Sequence, residues 1–552
     1  MGSLALPQDI ILLLCEELAT RRDFGTLFQV SLVSRRVASI ALEKLYSIQE
    51  LSPVCTGDAY SKLEWSRLWR SIILSSIEST AYPYCAYVRA LSLGNLEECL
   101  QDMMRDQNIR DFFFGGPMER FLVLREGLGR YTRQQPMLLD PRQTMVKCAD
   151  SVTEYIKRVA DDTGTAVALA HLEGTSFPHD LLPSWIARLG TLTSLRIRDG
   201  SVLGVEAASA ISECCPNFVD LTCYYYQSST ADEDLAAFFQ TLRPNSLRSF
   251  QIISQNGIGE SALTALNAHA VSLRSLILRS LPPQAMKALN SLPKCTALET
   301  LFIENDRHNQ VNLKDFSQGM LKEVRAWVSS CKSLRHLSFN HVLNALPIVM
   351  DVLSMPDIRL TSLSVVDFID SFPGTEGERG WAALGSQDRL ESLTLSLQDH
   401  MRDPSMLGDN LTLLHSILKL KSLTSLNLMQ SYVVPDDIRR FAQSLPNLSE
   451  FHFTGDIVED PVLTDFAAFP QLKLLSINAP SMFTFSGLQQ FARQLNTLGR
   501  RGIRVDILNQ YDEMKFTDSQ YTSLQNYFSN TLKGRIEITY ELPEADLSDL
   551  SD

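Results

Sequence analysis

The chain has 552 residues, of which 45% are hydrophobic and 21% charged, and its formal net charge is -14 at pH 7. This apolar content excludes an intrinsically disordered chain, and the length favours several domains or one elongated repeat array over a single compact core. The acidic balance argues against a nucleic-acid-binding protein, because such a protein needs clustered Lys and Arg.

The first predicted elements are three short helices between about residues 6 and 47. The first helix follows Leu6-Pro7, a break lies near residues 21–25, and a second apolar segment begins at Leu27. The apolar positions of the first helix are Ile10, Ile11, Leu14 and Leu18. A module of this size cannot hide all of its apolar residues in its own core, so we expect it to bind a partner.

No secretory or membrane segment is predicted in this region. The apolar run Ile10–Leu14 is far too short to span a bilayer, and Glu16 and Glu17 follow it. The ten cysteines of the chain show no paired CxxC spacing, which indicates reduced thiols. We therefore expect a cytoplasmic or nuclear protein that does not bind a membrane.

The amino-terminal module resembles an F-box. The resemblance is carried by Leu6-Pro7, by the Ile10-Ile11 pair and by the segment Val30-Ser31-Leu32-Val33-Ser34-Arg35-Arg36. In F-box proteins these helices dock on the small adaptor subunit of an SCF-type cullin-RING ubiquitin ligase, so the resemblance implies this adaptor, and through it a cullin, as partners. One departure is Val37, where many F-boxes have a tryptophan. The residues that the resemblance places at the adaptor are Leu6, Pro7, Ile10, Ile11, Leu14, Leu18, Val30, Val33, Ser34 and Arg35.

Residues 51–160 are predicted to be connecting helices with a degenerate first repeat at Val88, Leu91 and Leu93. Between residues 101 and 160 the repeat period is lost, and we interpret this span as an irregular insertion that is either helical or partly mobile. After it, a Leu-x-x-Leu-x-Leu pattern recurs eleven times at spacings of 24 to 36 residues. Its first positions are Leu192, Phe218, Leu247, Leu273, Leu298, Leu334, Leu360, Leu390, Leu423, Leu448 and Leu472.

This spacing is typical of leucine-rich repeats. The fourth and sixth positions of each unit lie two residues apart, so both point into the core from one face of a strand. Between the strands the apolar spacing becomes helical, and capping-box patterns at Thr230–Glu233 and Ser486–Gln489 predict helix starts. A strand and helix that alternate at this period must stack on their neighbours to bury their apolar faces.

The predicted fold is therefore an α/β leucine-rich-repeat solenoid, a horseshoe, preceded by a small all-α three-helix F-box-like module. The predicted boundaries are 1–50 for the module, 51–160 for the connecting region, 161–540 for the solenoid and 541–552 for an acidic tail. Together the two parts resemble the F-box/leucine-rich-repeat family, whose members are substrate receptors of SCF-type ubiquitin ligases.

The predicted partner-binding surface is the strand face that points away from the core, formed by positions three, five and seven of each unit. Position three is mostly small, whereas larger side chains stand at other outward positions. The candidate substrate-binding residues are Arg196, Arg198, Tyr224, Gln251, Arg279, Phe302, Glu304, His336, Asn340 and His452. Because Arg pairs with carboxylates and phosphates, the three arginines favour an acidic or phosphorylated partner.

No enzyme, cofactor or metal site is predicted. The closest histidine pair, His336 and His341, lacks the spacing of a metalloprotease helix, and neither a GxSxG elbow nor a Cys/His nucleophile pattern is present. A hydrolase or transferase within residues 101–160 would need a nucleophile and base that we do not find. Two hypotheses remain open: a ligase substrate receptor, and a ligase-independent scaffold whose amino-terminal helices only cap the solenoid.

Overall fold

The computed structural model describes residues 7–47, 59–126, 137–368, 375–397 and 411–540. The chain falls into two compact units, Met1–Leu273 and Arg274–Asp552. Leu6 and the acidic tail at 541–552 lie outside the described residues.

Three helices confirm the predicted helical module at the start of the first unit: α1 (Gln8–Thr20), α2 (Phe24–Ser31) and α3 (Arg35–Ser47). The Asp23 carboxylate begins α2 by accepting a hydrogen bond from the Thr26 amide at 3.0 Å. The module has a small core of its own, built from Ile11, Cys15, Leu27, Ile40 and Ala41. Partly buried apolar residues pack around this core, namely Leu18, Ala19, Val30, Val37 and Leu45.

The module is joined to the rest of the first unit through Tyr46 at the end of α3. The Tyr46 hydroxyl is hydrogen-bonded to the Ser71 hydroxyl of α4 (Ala59–Ser75) at 2.8 Å. Its ring stacks on Tyr84 of α5 (Tyr84–Tyr87), with ring centroids 4.6 Å apart. Because Tyr46 is buried, these contacts fix α3 to the helices that follow it.

The region before the regular repeats is ordered and mainly helical where it is described. In chain order it contains β1 (Ala90–Ser92), α6 (Leu93–Met103), α7 (Gln107–Phe114), β2 (Leu124–Glu126), β3 (Met137–Leu139) and α8 (Pro141–Thr163). β2 and β3 form an antiparallel pair, whereas β1 pairs in parallel with the first regular repeat strand. Asp140 caps α8 by accepting the Gln143 amide hydrogen bond at 3.0 Å.

The first unit continues with strands that alternate with helices. In chain order these are β4 (His171–Gly174), α9 (Leu182–Arg188), β5 (Ser194–Asp199), α10 (Val205–Cys214), β6 (Asp220–Tyr225), α11 (Ala231–Thr241), β7 (Ser249–Ile252) and α12 (Glu260–Ala265). The strands pair in parallel in the order β1-β4-β5-β6-β7. Their register aligns one buried row, namely Leu91, Leu172, Leu195, Leu221 and Phe250.

The second unit repeats this pattern. Its strands are β8 (Ser275–Leu281), β9 (Thr300–Asn305), β10 (His336–Asn340), β11 (Ser362–Phe368), β12 (Ser392–Leu397), β13 (Ser425–Val433), β14 (Glu450–Gly455), β15 (Val458–Glu459), β16 (Leu474–Ile477), β17 (Ser481–Met482), β18 (Arg504–Gln510) and β19 (Arg535–Tyr540). Its helices are α13 (Pro283–Met286), α14 (Gln318–Ser330), α15 (Leu346–Ser354), α16 (Thr375–Leu384), α17 (Leu411–Ile417), α18 (Pro435–Ser444), α19 (Val462–Ala468), α20 (Phe485–Thr497) and α21 (Asp518–Asn530).

The main strands of the second unit pair in parallel in the order β8-β9-β10-β11-β12-β13-β14-β16-β18-β19. The fourth position of each repeat forms one buried row, which begins with Leu276, Leu301 and Leu337 and ends with Val505 and Ile536. Burying one such side chain contributes about 1.5–3 kcal/mol, so each strand adds to a continuous core. Both units therefore have the leucine-rich-repeat fold.

The two predicted capping boxes differ from what the structure contains. Thr230 does precede α11, but its hydroxyl donates to the Asp234 carboxylate at 2.7 Å instead of accepting an amide hydrogen. α20 begins before Ser486, and its cap is the Thr484 hydroxyl, which accepts the Gly487 amide hydrogen bond at 2.9 Å. At α11 the competing carboxylate lies four residues further along the same helix, whereas at α20 the capping Thr484 hydroxyl also donates to the Asp460 carboxylate of the preceding repeat.

Candidate functional site

The strand face of the first unit brings four polar side chains into one row across neighbouring strands. Glu173, Arg196, Thr222 and Gln251 occupy equivalent positions on β4, β5, β6 and β7. Strands lie about 4.8 Å apart, so Arg196 and Gln251 are separated by roughly 10 Å along the row. The structure thus places these two predicted residues on one surface.

Arg198 and Tyr224 lie in the next outward row, towards the carboxyl ends of β5 and β6. Both side chains are exposed, and 37% of Tyr224 is accessible. Arg and Tyr are among the residue types that contribute most to binding energy in protein interfaces. Tyr225, which is also exposed, follows in the chain and aligns with Asp199.

Glu173 is a functional candidate that the sequence analysis did not identify. Burial raises the pKa of its carboxyl group, and the positive charge of Arg196 acts in the opposite direction. Its Oε2 atom is buried. Arg196 therefore has an acidic neighbour on its own surface, whereas Arg198 is the more accessible cation for a partner. The sequence did contain a signal for Glu173: it directly follows Leu172, an inward residue of a weak repeat, and so occupies an outward position.

In the second unit, Arg279, Phe302 and Glu304 form one group on β8 and β9. The Arg279 guanidinium lies over the Phe302 ring at 4.5 Å from its centroid, which is the geometry of a cation–π contact. This contact covers part of the aromatic face and orients the arginine. Arg196 and Arg198 belong to the first unit, so the three predicted arginines do not form one group within a single unit.

The neighbouring strands β10 to β12 carry short uncharged side chains on the same face. The Asn340 Oδ1 atom accepts hydrogen bonds from Ser338 at 3.1 Å and Ser364 at 3.2 Å. His336 is exposed at the start of β10, and its register neighbour on β11 is Ser362. The side chains on this part of the strand face are mostly shorter and more polar than Phe302.

His452 stands apart from this group, on β14. Four strand spacings of about 4.8 Å separate β14 from β10, which is roughly 19 Å. Burial lowers the pKa of the His452 imidazole, although the charges of Glu450 and Asp506 act in the opposite direction. The structure therefore places His452 in a different part of the strand face from His336 and Asn340.

The amino-terminal module exposes a second surface, which is apolar. We call it the apolar surface of the module, and it consists of Ile10, Leu13, Leu14, Phe24, Phe28, Leu32 and Val33. On α1 three of these residues lie on one side of the helix, because Leu13 and Leu14 follow Ile10 by three and four positions. Exposure reaches 59% for Leu13, 64% for Leu32 and 73% for Val33. Leu13, Phe24, Phe28 and Leu32 were not among the predicted adaptor-binding residues.

The predicted adaptor-binding residues divide into three groups. Ile10, Leu14 and Val33 belong to the apolar surface, and Pro7, Ser34 and Arg35 are also exposed. Ile11 lies in the module core at 8% exposure, and Leu18 and Val30 pack against that core. These three side chains therefore support the module from inside rather than forming its surface. Leu6 lies outside the described residues.

Among the described residues, no group of three or more His, Cys, Asp or Glu side chains is arranged to hold a metal ion. Within the same residues, no helix combines the length and apolar character that crossing a bilayer demands.

Comparison with known proteins gives only distant structural likeness. No protein-family model matches the chain, and no curated protein matches it. An internalin from Listeria monocytogenes is 16% identical with a TM-score of 0.35, covering 66% of this chain and 84% of its own. The Rad7 and Elc1 complex in yeast contains a chain that is 15% identical with a TM-score of 0.37, covering 61% and 89%. The TLR13–ssRNA13 complex contains one that is 16% identical with a TM-score of 0.36, covering 70% and 55%. At these TM-scores the likeness carries no argument about partners.

Proposed function

We propose that this chain is the substrate-recognition subunit of an SCF-type cullin-RING ubiquitin ligase. In this proposal helices α1 to α3 dock on the ligase adaptor, and through it on a cullin. The strand faces of the repeats hold a protein substrate while other subunits transfer ubiquitin. The chain itself makes and breaks no bonds.

The observation that carries the proposal is the apolar surface of the module. Ile11, Leu27 and Ile40 already fill the core of the module, so the exposed leucines, phenylalanines and valine are not required to complete it. Large apolar residues concentrated at this exposure in one small module favour a protein-binding surface. The surface includes Ile10, Leu14 and Val33, which the F-box resemblance assigns to the adaptor.

A ligase-independent scaffold is the second candidate, and one observation favours it. Tyr46 ties α3 to α4 and α5 through a hydrogen bond and a ring stack. The module is therefore an integral part of the first unit, as expected for helices that only cap a repeat array.

Co-expression with the ligase adaptor separates the two candidates. The test variant is Leu13→Asp/Val33→Asp, which places two charges on the apolar surface without touching the module core. The matched control is Gln29→Asp/Ser39→Asp, which adds two charges at exposed polar positions of α2 and α3. We expect the wild type and the control to co-purify with the adaptor and the test variant to lose it, with equal thermal stability for all three. Failure of the wild type to retain the adaptor would establish the scaffold instead.

The strand face is tested separately by reversing the charge of Arg196 and Arg198. We expect this double Arg→Glu variant to lose the protein partners that the wild type captures, because acidic or phosphorylated groups would then be repelled. The control is Arg243→Glu, an exposed arginine outside the strands. An unchanged set of captured partners would remove Arg196 and Arg198 from the proposed site.

A further inference from the structure

A polar triad centred on a buried histidine lies at the carboxyl ends of three neighbouring strands in the second unit. It joins Arg307, which follows β9, His341, which follows β10, and Asp367 near the end of β11. The Arg307 Nε atom lies 2.7 Å from His341 Nε2. The His341 Nδ1 atom is hydrogen-bonded to Asp367. Only 7% of the His341 side chain is exposed, and 19% of the Asp367 side chain.

The hydrogen-bond partners define the protonation state of the imidazole in this arrangement. An arginine guanidinium has donors only, so His341 Nε2 must accept and carries no hydrogen. The single ring hydrogen is therefore on Nδ1 and is donated to the Asp367 carboxylate. The triad as it stands requires a neutral histidine.

The backbone holds His341 and Asp367 at equivalent points of adjacent repeats. Asn340 and Val366 are register partners, and the His341 amide donates to the Val366 carbonyl at 2.9 Å. Both triad residues have a left-handed backbone, with φ of 57° at His341 and 58° at Asp367. Residues other than glycine adopt this backbone conformation mainly where the surrounding structure holds them in it. The ring is thus fixed on Asp367, whereas Arg307 reaches it from a separate segment.

Arg307 belongs to residues 306–311, which leave β9. At the near end the Asp306 amide donates to the Leu281 carbonyl at 3.1 Å, and the Asp306 carboxylate accepts hydrogen bonds from its own turn at His308 and Asn309. Within this segment, the Arg307 side chain supplies a hydrogen bond to the next repeat, at His341.

The far end of this segment is held independently of His341. The Leu313 amide donates to the Leu343 carbonyl at 3.1 Å, and the Asn344 side chain donates to Asn312 Oδ1 at 2.6 Å. Leu313 itself is buried. A change at the imidazole can therefore act on residues 307–311 while residues 312 and 313 stay in place.

We propose that His341 is a proton-operated latch: the neutral ring holds Arg307, and the protonated ring releases it. Protonation places a hydrogen on Nε2, so two donors and two positive charges then face each other at a partly buried site. Asp367 retains the imidazolium as an ion pair, so Arg307 is the group that leaves. The Arg307 side chain is exposed, so its guanidinium can be solvated at once.

The charged groups around the imidazole are consistent with the release of Arg307 rather than of Asp367. Among the described residues, the charged groups bonded to the ring are Arg307 and Asp367, and Asp306 and His308 flank Arg307 along the chain. The Asp306 carboxylate is occupied by its own turn, so it does not hold Arg307 in place. Release would loosen the segment that directly follows β9, the strand that carries Phe302 and Glu304. This latch is independent of whether the module binds a ligase adaptor.

Hydrogen exchange on the full chain between pH 8 and pH 5 tests the latch, with rates corrected for the intrinsic effect of pH. Histidine side chains gain protons within this range. We expect the protection of amides 307–311 to fall about tenfold on acidification, the change expected from losing one charged hydrogen bond. The amide of Leu313 should keep its protection. Protection of 307–311 that is constant with pH in the wild type would overturn the proposal.

Three variants complete the test. His341→Asn tolerates the left-handed backbone and does not titrate, so residues 307–311 should no longer respond to pH. Arg307→Ala should show low protection of residues 308–311 at every pH, because it removes the latch without changing the ring. The matched control His308→Asn removes an exposed histidine of the same segment and should respond like the wild type. A pH response retained in His341→Asn, or lost in His308→Asn, would refute the role of His341.

Discussion

Replacing Asp232 with alanine should uncouple two consecutive repeats of the first unit. The Asp232 carboxylate, on α11, accepts backbone hydrogen bonds from Gly259 at 2.7 Å, Ser261 at 3.0 Å and Ala262 at 2.9 Å. These amides belong to the first turn of α12 and the residue before it. A side chain of one repeat therefore caps the helix of the next repeat.

The size of the effect follows from the exposure of the three amides. The hydrogen bond from Ser261 is exposed, so water replaces it at little cost, whereas those from Gly259 and Ala262 are partly buried. A hydrogen bond to a charged group contributes about 1.5–3 kcal/mol, and part of that is recovered by water at a half-buried site. We therefore expect Asp232→Ala to lower the local stability of α12 by about 2–4 kcal/mol.

Native-state hydrogen exchange is the suitable assay, because a chain with two units need not unfold in a single step. The opening free energy is measured at the amides of residues 261–263. The control is Glu233→Ala, which removes an exposed acidic residue from the same first turn of α11 and so matches the loss of charge. If the two variants differ by less than about 0.5 kcal/mol, the coupling assigned to Asp232 is refuted.

Three further substitutions test the module core, a buried carboxyl group and a close packing contact. Leu27→Ala should destabilise the amino-terminal module by about 2–5 kcal/mol, whereas Leu13→Ala on its exposed face should change stability by less than about 0.5 kcal/mol, as measured by thermal unfolding. Burial raises the pKa of the Glu173 carboxyl group in the folded state above its value in the unfolded state, so ionisation of this group destabilises the fold as the pH rises through the folded-state pKa. Glu173→Gln should therefore be more stable than the wild type near neutral pH and should lose that advantage in acid. Urea titrations at several pH values measure this difference. Gly487→Ala would place a Cβ atom in steric conflict with the Asp460 carboxylate, so it should destabilise α20 by about 1–3 kcal/mol despite the higher helix propensity of alanine. A gain in melting temperature would contradict this.

The repeat pattern predicted the strands of the solenoid well because it is local. Each of the eleven units has a strand that begins at its third residue, from Ser194 after Leu192 to Leu474 after Leu472. The two inward positions of each strand are set by the alternation of side chains along an extended chain. The helix starts were less predictable: the Thr230 hydroxyl donates to the Asp234 carboxylate of its own helix, and α20 begins at Phe485 with Thr484, not Ser486, as its cap.

The face of α1 could not be chosen from its own sequence. Residues 10–14 are five consecutive apolar residues, so helical periodicity does not distinguish the side that packs from the side that is exposed. Packing against Leu27, Ile40 and Ala41 buries Ile11 and leaves Leu13 exposed. The surface proposed to bind the adaptor was therefore only partly predictable.

The repeat architecture, the helical module and the outward positions of the strands could all be predicted from the sequence, because they follow from the spacing of apolar residues within a unit and from its recurrence at 24 to 36 residues. Tertiary structure alone decided which outward residues become neighbours. Glu173 meets Arg196, and Arg307 meets His341 and Asp367, only because successive turns of the solenoid align in register. Repeats of unequal length separate these partners in the chain, so no fixed sequence spacing encodes their contact.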